Sequence, residues 1–193
     1  MTVTPAETPT GTPAATSRRL AWLRRPMVAV PLALVLLVGF GVAMAAFQPW
    51  KIFVDSVVVE AAPTAPSTAG GATAAEPVVL ATGSFISHEH ETTGSVSVLQ
   101  LADGSRVLRL EDLSTSNGPD LKVWLTDAPV TEGTDGWRVF DDGAWSDLGA
   151  LKGNVGSQNY AIPADVDLTQ LASVSIWCDR FDVSFGAAAL TLV

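Results

Sequence analysis

Between Pro26 and Phe47 the sequence reads PMVAVPLALVLLVGFGVAMAAF, 22 residues without a charge. A helix of that length rises about 33 Å, close to the thickness of a bilayer's hydrocarbon core. One transmembrane helix is therefore expected here, dividing the chain into two parts that face different solvents. Pro31 is no objection, because membrane helices tolerate proline better than soluble ones do. Arg18, Arg19, Arg24 and Arg25 precede the span and only Lys51 follows closely. The positive-inside rule then puts residues 1–25 in the cytoplasm and everything after Phe47 outside the cell membrane. A cleaved signal peptide is the rival, since Ala43-Met44-Ala45 has the small-x-small form of a cleavage site. Its hydrophobic region would normally be only about 7 to 15 residues. Either route exports the C-terminal part.

The flanking segments differ in composition. Residues 1–25 open with MTVTPAETPTGTPAATS, rich in Thr, Pro and Ala, and are expected to be a disordered cytoplasmic tail. Residues 48–77 are expected to be a membrane-proximal segment, with Trp50, Ile52 and Phe53 at the lipid interface, followed by a small-residue linker containing Gly70 and Gly71. Residues 78–193 form the exported domain, with six basic residues against sixteen acidic ones. That balance argues against nucleic acid as a partner, because polyanion binders present basic faces.

Within the exported domain the hydrophobic pattern is that of strands, with period-two alternation broken by Gly, Pro, Asn and Asp. SVSVLQL and RVLRL flank ADGS, where Asp103-Gly104 supplies the positive-φ residues of a tight hairpin. After the turn NGPD, the stretch LKVWLT puts Leu121, Val123 and Leu125 on one face and Lys122 and Trp124 on the other. NYAI, SVSIWC and FDVSF alternate through Tyr160 and Ile162, through Val174, Ile176 and Cys178, and through Phe181, Val183 and Phe185. AALTLV offers Leu190 and Leu192 as a closing strand. Eight to ten short strands in about 115 residues predict an all-β domain, with a single β-sandwich preferred over a closed barrel. The one long connection, residues 127–148, is acidic and carries Trp137 and Trp145.

Cys178 is the only cysteine. Exported compartments are oxidising and disulfides need pairs, so it is a buried inert residue, a partner for another chain, or a reactive or ligating thiol. Alternation sets it inward with Val174 and Ile176, and burial without a charge partner would raise its pKa. Arg180 would favour a thiolate only with its head turned inward. His88 and His90 in SHEHE are the only histidines. In an extended segment they share a face, and with Cys178 they would make a two-His, one-Cys site of the kind copper accepts. Solvated histidines in a polar loop are the plainer alternative, with Glu89 and Glu91 raising their pKa. FDDGAWSD lacks the spacing of a calcium loop and reads as a solvated acidic loop. No Gly-x-Ser-x-Gly, His-Glu-x-x-His, phosphate-binding glycine loop or Cys-x-x-Cys occurs, which disfavours a hydrolase or nucleotide enzyme.

Several stretches taken together resemble the DM-thirteen electron-transfer domain family. They are GSF at Gly83 to Phe85, HETTG at His90 to Gly94 and RLEDLSTSNGPDLKVWL at Arg109 to Leu125, followed by LGALKGNVGSQNYAIP at Leu148 to Pro163 and IWCDRFDVSFGAAAL at Ile176 to Leu190. The resemblance implies electron transfer or oxidative modification at the cell surface, centred on a cysteine that acts as a bare thiol or binds a prosthetic group such as haem. Cys178 matches that cysteine and His90 a family histidine, as a second ligand or orienting group, whereas His88 is peculiar to this chain. No Cys-x-x-Cys-His attachment motif occurs, so any haem would be non-covalent. The expected protein is a membrane-anchored extracytoplasmic redox module working through Cys178, with a redox protein at the cell surface as its partner. The alternatives are a cell-envelope binding module in which Cys178 fills the core, and an interchain disulfide through Cys178.

Overall fold

The computed structural model describes residues 26–50, 54–63 and 76–193. The expected N-terminal tail and residues 51–53 and 64–75 of the expected tether lie outside them. The chain divides into two compact units, residues 1–46 and 47–193. The predicted apolar run forms one helix, α1 (Pro26–Phe47), with a mean hydropathy of 2.5 in its most apolar window and none of that window buried. It is long and apolar enough to cross a membrane, and a signal sequence shares that length and composition.

The second unit is built from strands: β1 (Val57–Val59), β2 (Val78–Ser87), β3 (Thr93–Gln100), β4 (Arg106–Ser114), β5 (Leu121–Thr126), β6 (Trp145–Ala150), β7 (Val155–Ile162), β8 (Ser173–Cys178), β9 (Val183–Ala189) and β10 (Thr191–Leu192). The all-β expectation holds, but the strands do not separate into the two sheets of a sandwich. They follow one hydrogen-bonded path, β1-β7-β4-β3-β2-β9-β8-β5-β6, with β10 on β2, as a curled half-barrel sheet. The joint is β2, whose residues 78–84 pair with β3 while Phe85–Ser87 pair with β9. One strand long enough to serve two neighbours in turn joins what would otherwise be two sheets.

The concave side holds the core. Val96 and Val98 of β3, Leu108 and Leu110 of β4, and Tyr160 and Ile162 of β7 meet Val123 and Leu125 of β5, Val174, Ile176 and Cys178 of β8, and Val183 and Phe185 of β9. These are the residues that alternation assigns to the inner face. Phe181 is the exception: it lies in the turn before β9 and is exposed. The β3–β4 hairpin falls where Asp103-Gly104 predicted it, but only Gly104 has positive φ, at 83°. Leu101 N–H donates to Ser105 O at 2.8 Å and Asp103 Oδ1 accepts the Ser105 N–H at 2.9 Å. This is a three-residue loop ending in a left-handed glycine rather than a two-residue turn.

Part of the segment expected to be a tether is bonded into the sheet. β1 pairs in parallel with β7, Val57 opposite Val155 and Val59 opposite Ser157. Ser56 N–H donates to Asn154 Oδ1 at 2.7 Å, and the Asn154 amide donates to Asp55 and to Thr115 O, each at 2.8 Å. Glu60 takes Lys152 Nζ at 2.7 Å, and that bond is the main reason its pKa is lowered. Gly156, at φ 107°, leaves room for the Val58 backbone, which a side chain there would strike.

Candidate functional site

Three strand ends meet around the lone thiol. Cys178 closes β8, opposite Leu121 at the start of β5 and Val183 at the start of β9. The turn beyond it is tied by Phe181 N–H to Cys178 O at 3.1 Å, and Asp179 N–H reaches Asp120 O at 3.0 Å. The residue is 0% exposed. Burial pushes the thiol's pKa up, backbone N–H groups of Arg180, Phe181 and Asp120 pull it partly back by hydrogen bonding, and the Asp120 charge adds to the rise. Arg180 thus acts through its backbone, since its side chain is exposed. A sulfur with no exposed surface is also closed to an interchain disulfide, which needs a second sulfur to approach it.

The two histidines part company. His88, buried at 6% exposure, is held between Ser184 Oγ, 2.9 Å from Nδ1, and Thr131 O, 3.2 Å from Nε2. Its ring also faces Phe140 at 5.7 Å. It pins the 127–144 connection to the outer face of β9, so the residue that looked peculiar to this chain has a packing role. His90 is half-buried and lies on the Phe185 ring at 3.8 Å between centroids. Phe185 lies two residues beyond Val183, the register partner of Cys178, so His90 and Cys178 approach neighbouring positions of β9. Both histidines have lowered pKa values, contrary to the expected effect of the flanking carboxylates. Burial is the larger cause in each, opposed at His88 by the bond to Thr131 and at His90 by Glu89.

His88, His90 and Cys178 do not converge. Among the described residues no three His, Cys, Asp or Glu side chains come together to hold a metal. Asp141, Asp142 and Asp147 of FDDGAWSD are exposed, but only the first part of the segment is a loop: Phe140 is buried and Trp145–Asp147 belong to β6, with Asp147 paired to Trp124. A polar cleft of about 210 Å³ lies beside the thiol's end of the sheet, lined by Ser56 and residues 117–121 and 150–154. Ligand sites usually run from about 300 to 1,000 Å³ and are mostly apolar. A haem does not fit it, and the sulfur, sealed by its own core, presents no open ligand position.

The outer face of the same strands carries a second cluster of Trp124, Phe140, Trp177, Ala128 and Ala187. Trp124 stacks on Trp145 at 4.2 Å and 8°, and on Trp177 at 5.1 Å and 23°. Trp137 packs instead against the main core. Trp177 was not singled out by the sequence, although its position next to Cys178 on an alternating strand fixes it on the opposite face. Gln158 was missed too: it is fully buried, accepts from Lys152 N–H and Tyr160 OH at 3.1 and 2.7 Å, and donates to Gly153 O at 2.7 Å. The GSQNY string therefore fastens the loop that walls the cleft, and burial pushes the Tyr160 hydroxyl up to about 12.

Residues 84–190 match the family model described as Electron transfer DM13. The chain belongs to that family. The matched DM13 region runs from within β2 to the end of β9, taking in Cys178, both histidines and the tryptophan stack, and leaves out α1 and β1. No curated protein and no solved structure matches the chain.

Proposed function

We propose that this DM13 protein is a membrane-anchored extracytoplasmic electron-transfer module in which Cys178 is the redox group and works as a bare thiol. The observation that carries this reading is a sulfur with no exposed surface, at the meeting of three strand ends inside an electron-transfer domain. Thiol–disulfide exchange requires another thiolate to reach the sulfur. An electron needs no such approach, so a sealed thiol is restricted to losing an electron outward, with its proton, to a redox protein at the surface. His90, beside Phe185, is an orienting group at the neighbouring position of β9 rather than a cofactor ligand. In this reading α1 is the anchor, and the four arginines before it keep the N-terminus in the cytoplasm.

The test is a redox titration of the native full-length chain in detergent micelles with an outer-sphere one-electron oxidant. The unaltered chain should give up one electron equivalent more than Cys178→Ala. Equal counts would overturn the reading in favour of the second one, a binding module with Cys178 as a core residue. That alternative draws on the same complete burial. It predicts that Cys178→Ser costs about 1 to 3 kcal/mol through a buried hydroxyl without a partner, and leaves electron counts unchanged.

A further inference from the structure

The outer face of β5, β6 and β8 holds three indoles in a row that packing alone would not have to order this way. Trp124 faces Ser175 across one pairing and Asp147 across the other, so Trp177 and Trp145 are its diagonal neighbours on the two sides. Diagonal neighbours lie within reach of aromatic side chains, and here both indoles stack on Trp124 face to face. The row has an exposed end and a buried end. Trp145 is 46% exposed, Trp124 4% and Trp177 1%. Trp177 is joined by one peptide bond to Cys178.

We propose that Trp145, Trp124 and Trp177 are an electron relay between the protein surface and Cys178, which rests on the reading of Cys178 as the redox group. An outer-sphere one-electron acceptor at the surface takes an electron from Trp145. Trp124 refills Trp145, Trp177 refills Trp124, and Cys178 refills Trp177. No bond changes in the indole steps. In the last step the S–H bond breaks, the electron goes to Trp177 and the proton to water at the exposed Asp179–Arg180 turn that follows Cys178. One thiol and one oxidised acceptor thus give one thiyl radical, one proton and one reduced acceptor.

A second observation supports passage through Trp124. Trp124 Nε1 is buried and meets no hydrogen-bond acceptor among the described residues. Buried polar groups are nearly always partnered, so an orphan calls for an explanation. An oxidised indole is trapped when its N–H loses the proton to a neighbouring base. Trp124 has no such neighbour, so its hole keeps its proton and moves on.

The experiment exposes the full-length chain in detergent micelles, in air and in the dark, to pre-formed tris-bipyridine ruthenium(III), a one-electron oxidant too bulky to enter the fold. A thiyl radical formed at Cys178 adds dioxygen and the thiol is lost for good; the survivors are counted by thiol titration in denaturant. At equal oxidant dose, Trp124→Phe and Trp145→Phe should lose at least tenfold less Cys178 thiol than the unaltered chain. Trp50→Phe, an exposed tryptophan outside the stack, should lose as much as the unaltered chain. Trp145→Phe opens no buried cavity, so it keeps the test valid if Trp124→Phe folds poorly. Equal loss in both stack variants overturns the relay and leaves Cys178 as an electron donor by another route. No loss even in the unaltered chain overturns the relay and the redox reading together.

Discussion

The curled sheet has two unlike halves. In β3 and β4 one face is fully packed, with Val96, Val98, Leu108 and Leu110 pointing into the core. The outward face holds the half-buried Ser95, Ser97 and Glu111 and is covered only at Leu99 and at Arg109, which donates to Glu60 O and Ala61 O. In β8 every residue is buried, and in β9 all but the last. The difference comes from the 127–144 connection, which lays Ala128 and Phe140 over the outer face and is held there by His88 through Thr131 and Ser184. A half covered once has an inside and an outside. The half covered twice has two interiors separated by a single strand, an aliphatic one with Cys178 and an aromatic one with Trp177. The residues proposed to carry electrons, Cys178 and Trp177 among them, lie in the twice-covered half.

The strongest challenge to this contrast is Trp177→Ala. A fully covered outer face makes the loss about 3 to 5 kcal/mol, measured by urea unfolding of the full-length chain in detergent. A cost under about 1 kcal/mol would mean that the aromatic face is not sealed.

Acid should attack the twice-covered half through the residue that pins its cover. Burial depresses the His88 pKa, so the unfolded chain takes up the proton first as pH falls. The stability it contributes is present above the ordinary histidine value of 6.5 and is lost as pH drops through the depressed folded value. The melting temperature should therefore fall between pH 7.5 and 5, and His88→Asn should flatten part of that slope. His90 shifts in the same direction and leaves a residual slope in that variant. An unchanged slope in His88→Asn would mean that His88 does not fasten the cover.

The smallest effect belongs to the once-covered half. Ser97→Ala on its outward face should change stability by no more than about 0.5 kcal/mol in the same unfolding assay. A larger loss would point to a second cover on β3 and erase the distinction between the halves.

Much of the once-covered half was legible in the sequence, because alternation over SVSVLQL, RVLRL and NYAI carries the inner face directly. The inward placement of Cys178 followed in the same way. Alternation could not disclose the cover on β8 and β9, since SVSIWC looks like one apolar face with a tryptophan beside it, and the residues that bury Trp177 come from a distant loop. The joining of two expected sheets into one depends on β2 pairing with both β3 and β9, a non-local choice its own residues do not encode. VVV at Val57–Val59 reads as membrane-surface sequence because three apolar residues cannot reveal a strand partner almost a hundred positions away. SHEHE presented two equivalent histidines, and only Ser184 and Thr131 tell them apart.

The central claim is that Cys178 is closed to reagents and open to electrons. It is tested most directly by counting that thiol in the native full-length chain after treatment with a bulky thiol reagent or, separately, with an outer-sphere one-electron oxidant. Complete burial predicts no labelling by the reagent until denaturant is added, then one thiol per chain, and the proposed redox role predicts loss of that thiol to the oxidant while the fold is intact. Prompt labelling of the native chain, or a thiol that survives the oxidant untouched, would contradict it.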